Sequence, residues 1–124
     1  MSMLSPANEY KRQQSTPDFD IESKQALVKA TLECLTRSLT IVEVAQDRTT
    51  EAYRHHSSRA LTAIYVLQSS LDFERGGDIA TNLFQLYEYS RQQLLKHMRR
   101  DDTANVPQAR RAMSEILDAW QQIA

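Results

Sequence analysis

Glycine is almost absent from this chain: there are two in 124 residues, side by side at Gly76 and Gly77. Proline is nearly as scarce, at Pro6, Pro17 and Pro107. A sheet protein needs many turns, and turns draw on glycine, proline and asparagine. The shortage therefore points to long helices joined by few corners. A single cysteine, Cys34, excludes an internal disulfide and a cysteine-rich zinc site. Apolar runs are only a few residues long, too short to span a bilayer, so no membrane insertion is expected. The stretch MSMLSPANEYKRQQ lacks an apolar core, so no secretory signal is expected either. Excess charge of one sign is missing as well. Fifteen basic residues against sixteen acidic ones give a net charge of −1, so no global field draws the chain to nucleic acid or an anionic membrane.

What is present is helical periodicity. The length suits one domain. Residues 1–22 are polar, hold two of the prolines and carry no sustained apolar stripe. They read as a flexible arm with room for a short helix over residues 7–14, where Tyr10 is the one large apolar group. Residues 23–124 read as the folded part. Ser23 is placed to cap a first helix with the stripe Leu27, Thr31, Cys34/Leu35, Leu39, Val42, Ala45. Thr49 or Thr50 can cap a second, expected from Glu51 to Glu74, with Tyr53, His56, Ala60, Ala63/Ile64, Leu67 and Leu71 inward. Gly76–Gly77 reads as a corner, one glycine ending a helix in left-handed geometry and Asp78 capping the next. That third helix offers Ile79, Leu83, Leu86/Tyr87, Ser90, Leu94 and Met98 as its inner face and ends in KHMRRDD, with basic groups opposing the dipole. The last runs from about Asn105 or Val106 to Gln122, with Pro107 tolerated in its first turn. Four amphipathic helices with short connections imply an all-α, antiparallel up-down four-helix bundle.

A search for chemistry finds little. His55 and His56 are adjacent, so on a helix they diverge by ~100° and cannot share a metal. The Glu-x-x-His pattern of di-iron bundles is absent, and so is the G-x-S-x-G elbow of a serine nucleophile. Cys34 lies on an apolar stripe with no cation beside it in sequence, which favours an inert thiol. Gly76–Gly77 lacks the preceding strand and further glycines of a phosphate loop. The basic run KHMRR is followed at once by two aspartates, which argues against nucleic-acid binding. No metal, no cofactor and no enzymatic role is expected. The tyrosines stand out instead. Tyr87 and Tyr89 are two apart on one helix, so at most one can lie fully in the core. The other is left near the surface, where an aromatic can cover the bundle's edge or grip a partner.

The stretch SSLDFERGGDIATNLFQLYEY, residues 69–89, resembles the signature of the bacterial flagellin-specific export chaperones of FliS type. The matching residues are Ser70, Leu71, Asp72, Gly76, Gly77, Ile79, Ala80, Asn82, Leu83, Leu86, Tyr87 and Tyr89. A weaker resemblance extends over Ser23 to Leu39, over Tyr10 and over the last helix with Trp120. Two departures stand out. Thr31 to Leu35 replace a Leu-Tyr-Asp-Gly-Ala element, and Ala7 stands where the family has a large aliphatic residue. The resemblance implies a bacterial cytoplasmic chaperone that binds the disordered C-terminal segment of flagellin, blocks premature polymerisation and delivers it to the flagellar export apparatus. On this reading the partner-facing residues are Tyr10, Leu27, Leu32, Leu35, Tyr65, Tyr87 and Tyr89. Gly76, Gly77 and Asp78 form the structural turn. The arm, anchored by Tyr10, is expected over part of the groove until the client displaces it. Contact with the export gate and a weak homodimer are left open. The alternative is a non-enzymatic scaffold for another flagellar or export protein.

Overall fold

A computed structural model describes residues 17–123. The expected arm helix, Tyr10 and the Ala7 departure lie outside the described residues. Four helices follow in order: α1 (Pro17–Val44), α2 (Glu51–Ser69), α3 (Phe73–Met98) and α4 (Val106–Ile123). Each packs on its two neighbours around a ring, α4 closing back on α1, and no diagonal pair is in contact among the described residues. Cross-helix bonds give the directions. Glu43 near the end of α1 meets Arg110 near the start of α4. Trp120 Nε1 near the end of α4 donates to the Gln25 carbonyl near the start of α1, at 3.3 Å. Tyr53 in the first turn of α2 meets His97 in the last turn of α3. The result is the all-α up-down bundle.

Helix ends follow local chemistry. α1 begins at Pro17 rather than after Ser23, because the fixed φ of proline suits a first helical position. Of the two expected candidates it is Thr50 that caps α2, its hydroxyl accepting the Tyr53 N–H at 3.1 Å. α2 stops at Ser69, short of the expected Glu74. The reason is Asp72, whose Oδ1 accepts the N–H groups of Glu74 and Arg75, each at 3.1 Å, and so starts a new helix. That helix is interrupted at once. Gly77 takes φ 50°, ψ −125°, which separates the turn at residues 73–76 from the long run that follows. The expected single corner at Gly76–Gly77 is thus two successive breaks, one at residues 70–72 and one at Gly77.

The far end of α3 closes in a Schellman turn. The Asp101 N–H donates to the Lys96 carbonyl at 2.9 Å and the Arg100 N–H to that of His97 at 3.1 Å. Arg100 sits at φ 62°, where glycine is usual. Asn105 then caps α4, its Oδ1 accepting the Gln108 N–H at 3.1 Å.

Leu32, Leu35, Leu39 and Val42 of α1, Ala60, Ile64 and Leu67 of α2, Leu94 of α3 and Met113 of α4 are buried in one apolar cluster. Each fully buried leucine of this kind contributes ~2–5 kcal/mol against truncation to alanine. Two expected stripes are rotated relative to this core. In α1 the inward face runs through Leu32, so Leu27 is half exposed and Cys34 only partly buried. In α3 Tyr87, Ser90 and Leu94 face inward as expected, joined by Ala80, whereas Ile79, Leu86 and Met98 are exposed.

Candidate functional site

The rotation of α3 leaves an apolar strip outside the core, and this strip builds a groove. Ile79 is 71% exposed, and Leu83, one turn on, is half buried. They face Ile21 and Val28 from the start of α1, Leu71 from the corner and Trp120 from α4. Together these enclose about 420 Å³ at the corner end of the bundle. Tyr87 forms part of the floor, and its burial pushes the phenol up to about 12, so it stays neutral and acts as packing.

The double break of the corner shapes this groove. A β-carbon on Gly76 would lie 2.8 Å from the β-carbon of Ala80, so only glycine lets the first turn fold against the helix it precedes. Gly77 has open space around it, and its need for glycine is in the backbone angle. Beside the corner, the Phe73 and Phe84 rings lie 6.1 Å apart between centroids, tilted by 58°, and both are exposed.

Polar contacts lock the helices that carry the groove. Glu88 of α3 accepts from Arg91 Nε at 2.9 Å and Nη2 at 2.7 Å, from Gln92 at 2.9 Å and from Gln68 of α2 at 3.2 Å. The bonds from Arg91 and then Gln92 hold its carboxyl down to about 2. At the opposite end Tyr53 Oη lies 2.8 Å from His97 Nδ1, and Arg48 donates to the His97 carbonyl at 2.8 Å. Burial first, and Arg48 second, lower the pKa of His97. Ser38 Oγ lies 3.2 Å from His56 Nδ1, and burial, then His55 and Arg59, lower that imidazole too.

The residues expected to face a partner do not form one surface. Leu32 and Leu35 have no exposed area and Tyr87 is 2% exposed, so in this conformation they support the bundle from within. Leu27 and Tyr65 are exposed, on α1 and α2. Tyr89 is half buried, with its hydroxyl donating to Gln108 of α4. Of the two neighbouring tyrosines it is therefore Tyr87 that enters the core. Gly76 and Gly77 lie at the kink, and Asp78 follows them into the long run of α3. The groove residues Ile21, Val28, Ile79, Leu83 and Trp120 were not singled out from sequence as partner-facing. Their signal was an α3 stripe one residue out of phase with Ala80, Tyr87 and Leu94.

Among the described residues no group of three or more His, Cys, Asp or Glu could hold a metal ion, and no helix is long and apolar enough to cross a membrane. Fold and groove together define an all-α up-down bundle with an apolar recess between helix ends. The chain belongs to the flagellar protein FliS family, whose family model matches residues 6–124. It is 41% identical over 58 residues to the flagellar secretion chaperone FliS of Salmonella typhimurium, covering 47% of this chain and 43% of that protein. It is 38% identical over 65 residues to the flagellar secretion chaperone FliS of Vibrio cholerae, covering 52% and 48%. With the flagellar secretion chaperone FliSB of Pseudomonas aeruginosa it shares 33% over 66 residues, covering 53% and 52%. The matched stretches thus span about half the length of these relatives. No solved structure matches the chain with significance.

Proposed function

We propose that this chain is a flagellar export chaperone that binds the disordered C-terminal segment of flagellin. It keeps that client unpolymerised in the bacterial cytoplasm and delivers it to the export apparatus. The observation that carries the reading is the apolar groove at the corner, lined by Ile21, Val28, Ile79, Leu83 and Trp120, in a chain of the FliS family. An apolar helix face laid into such a groove exchanges water contact for packing, worth ~25 cal/mol per Å² buried. A disordered client must also lose conformational entropy, so it needs a long wrapped contact rather than one pocket. Leu27, Tyr65 and Tyr89 extend the contact surface away from the groove. Leu32, Leu35 and Tyr87 act through the packing that fixes its walls. Tyr10, in the segment preceding α1, covers part of the groove until the client arrives.

Titration of the protein with a flagellin C-terminal peptide by calorimetry tests this. Binding at micromolar concentration is expected, and Ile79→Ser weakens it by about tenfold or more, the worth of one buried isoleucine. Tyr10→Ala leaves binding unchanged or strengthens it. Absence of heat and of any complex at micromolar concentration overturns the proposal. Capture of a different flagellar protein on the same groove would favour a scaffold role instead.

A further inference from the structure

We propose that the hydroxyl of Tyr87 is a polar anchor in the floor of the corner groove. The client segment held there presents to it a neutral hydrogen-bonding side chain, a hydroxyl or a carboxamide. This rests on the chaperone reading and adds to it the chemistry of one contact. The ring of Tyr87 packs in the core, and the hydroxyl has a separate role.

Tyr87 is 2% exposed and lines the groove. A buried tyrosine hydroxyl ordinarily finds a partner. Tyr53 has the His97 imidazole at 2.8 Å, and Tyr89 donates to Gln108. The Tyr87 hydroxyl has no partner among the described residues, and burial, with no hydrogen bond to offset it, pushes the phenol up to about 12. It is not sealed in the core either. Among the described residues the side-chain polar atoms that lack both a partner and access to solvent are Ser57 Oγ and Ser90 Oγ. The Tyr87 hydroxyl therefore opens on the groove that its residue lines.

The surroundings set what can meet it. Val28 of α1, Leu71 of the corner, Ile79 and Leu83 of α3 and Trp120 of α4 make the walls apolar. The other polar side chains of the lining are engaged or peripheral. Ser70 Oγ donates to the Leu67 carbonyl at 2.9 Å, Asp72 Oδ1 caps α3, and Lys24, Gln25 and Arg75 are exposed. In the free chain the Tyr87 hydroxyl is left to solvent in the groove. A client that fills the groove expels that solvent, and an all-apolar face would leave the hydroxyl buried and unpaired. A carboxylate or ammonium would exchange its hydration for a single bond, which costs more than the bond returns. A neutral hydroxyl or carboxamide avoids both penalties. Core packing already holds the Tyr87 ring, so the bond forms with little loss of side-chain freedom.

The test is calorimetry of the full chain with the flagellin C-terminal peptide, on the wild type and on Tyr87→Phe. Tyr87→Phe is expected to weaken binding about tenfold, the cost of leaving the client's polar group unpaired. The urea midpoint of the free variant stays the same or rises, because the hydroxyl has no partner inside the bundle. Tyr53→Phe is the contrast: loss of the His97 contact lowers the midpoint and leaves peptide affinity unchanged. Peptides with each Ser, Thr, Asn and Gln replaced singly by Ala locate the partner. One of them loses about tenfold on the wild type and little further on Tyr87→Phe. Unchanged affinity in Tyr87→Phe, a lowered midpoint of that variant, or additive losses at every peptide position overturns this inference and leaves the chaperone reading standing. No binding of the peptide to the wild type overturns both.

Discussion

The two glycines are neighbours, yet the structure gives them different work, and a mutant cycle separates the two. In Gly76→Ala the new β-carbon meets the β-carbon of Ala80 at 2.8 Å. Neither atom can rotate away, since both are fixed by backbone, so the turn or the helix must shift. Overpacking of this kind costs ~1–3 kcal/mol. Alanine's helical advantage over glycine returns ~0.5–1 kcal/mol, leaving a net loss of stability. In Gly77→Ala nothing lies within 4 Å of the new atom, and the loss comes from φ 50°. Strain of that sort is ~1–3 kcal/mol. The variants can therefore look alike singly and differ in their response to Ala80→Gly. Ala80→Gly removes the atom that Gly76→Ala strikes, so that pair should show a coupling of ~1 kcal/mol or more in urea unfolding. Gly77→Ala and Ala80→Gly should add, within ~0.5 kcal/mol. Additivity for the first pair, or strong coupling for the second, would refute the division of labour.

Two further outcomes are expected. Folding depresses the pKa of His56 and His97 below 6.5, so the unfolded chain takes up protons first as pH falls. Stability should therefore decline from about pH 7.5 to 5.5, level off below the folded values, and decline less in His97→Gln; a flat or rising urea midpoint over that range sinks the reasoning. Arg100 closes α3 at φ 62°, so Arg100→Gly should raise stability by ~0.5–1 kcal/mol, the relief of left-handed strain less the extra freedom of unfolded glycine, and a lower thermal midpoint would contradict it.

Much of this architecture can be read from the residues. Periodicity located all four helices, and side-chain chemistry located the Thr50 cap and the start of α4 near Asn105. Phase was harder. In α3 spacing placed Tyr87, Ser90 and Leu94 inward, yet both Ile79 and Ala80 fit a helical stripe at its start, and spacing alone does not say which faces inward. The corner was misjudged for a related reason. The paired glycines outweigh Asp72 as a visible break, yet an aspartate accepting two backbone N–H groups ends the preceding helix earlier. Tyr87 and Tyr89 were legible as a pair that must split, whereas which one turns inward depends on α4, where Gln108 receives Tyr89.

The ring of contacts also imposes an order in time. The α1–α2, α2–α3 and α3–α4 seams join helices that are neighbours in the chain, so each can form as a local hairpin. The α1–α4 seam, held by Trp120 on Gln25 and Arg110 on Glu43, joins helices at opposite ends of the bundle sequence. Its loop-closure entropy is the largest of the four, so it is expected to shut last when the chain folds. The corner groove takes walls from α1 and α4 as well as α3, and so lies across the seam with the longest loop to close.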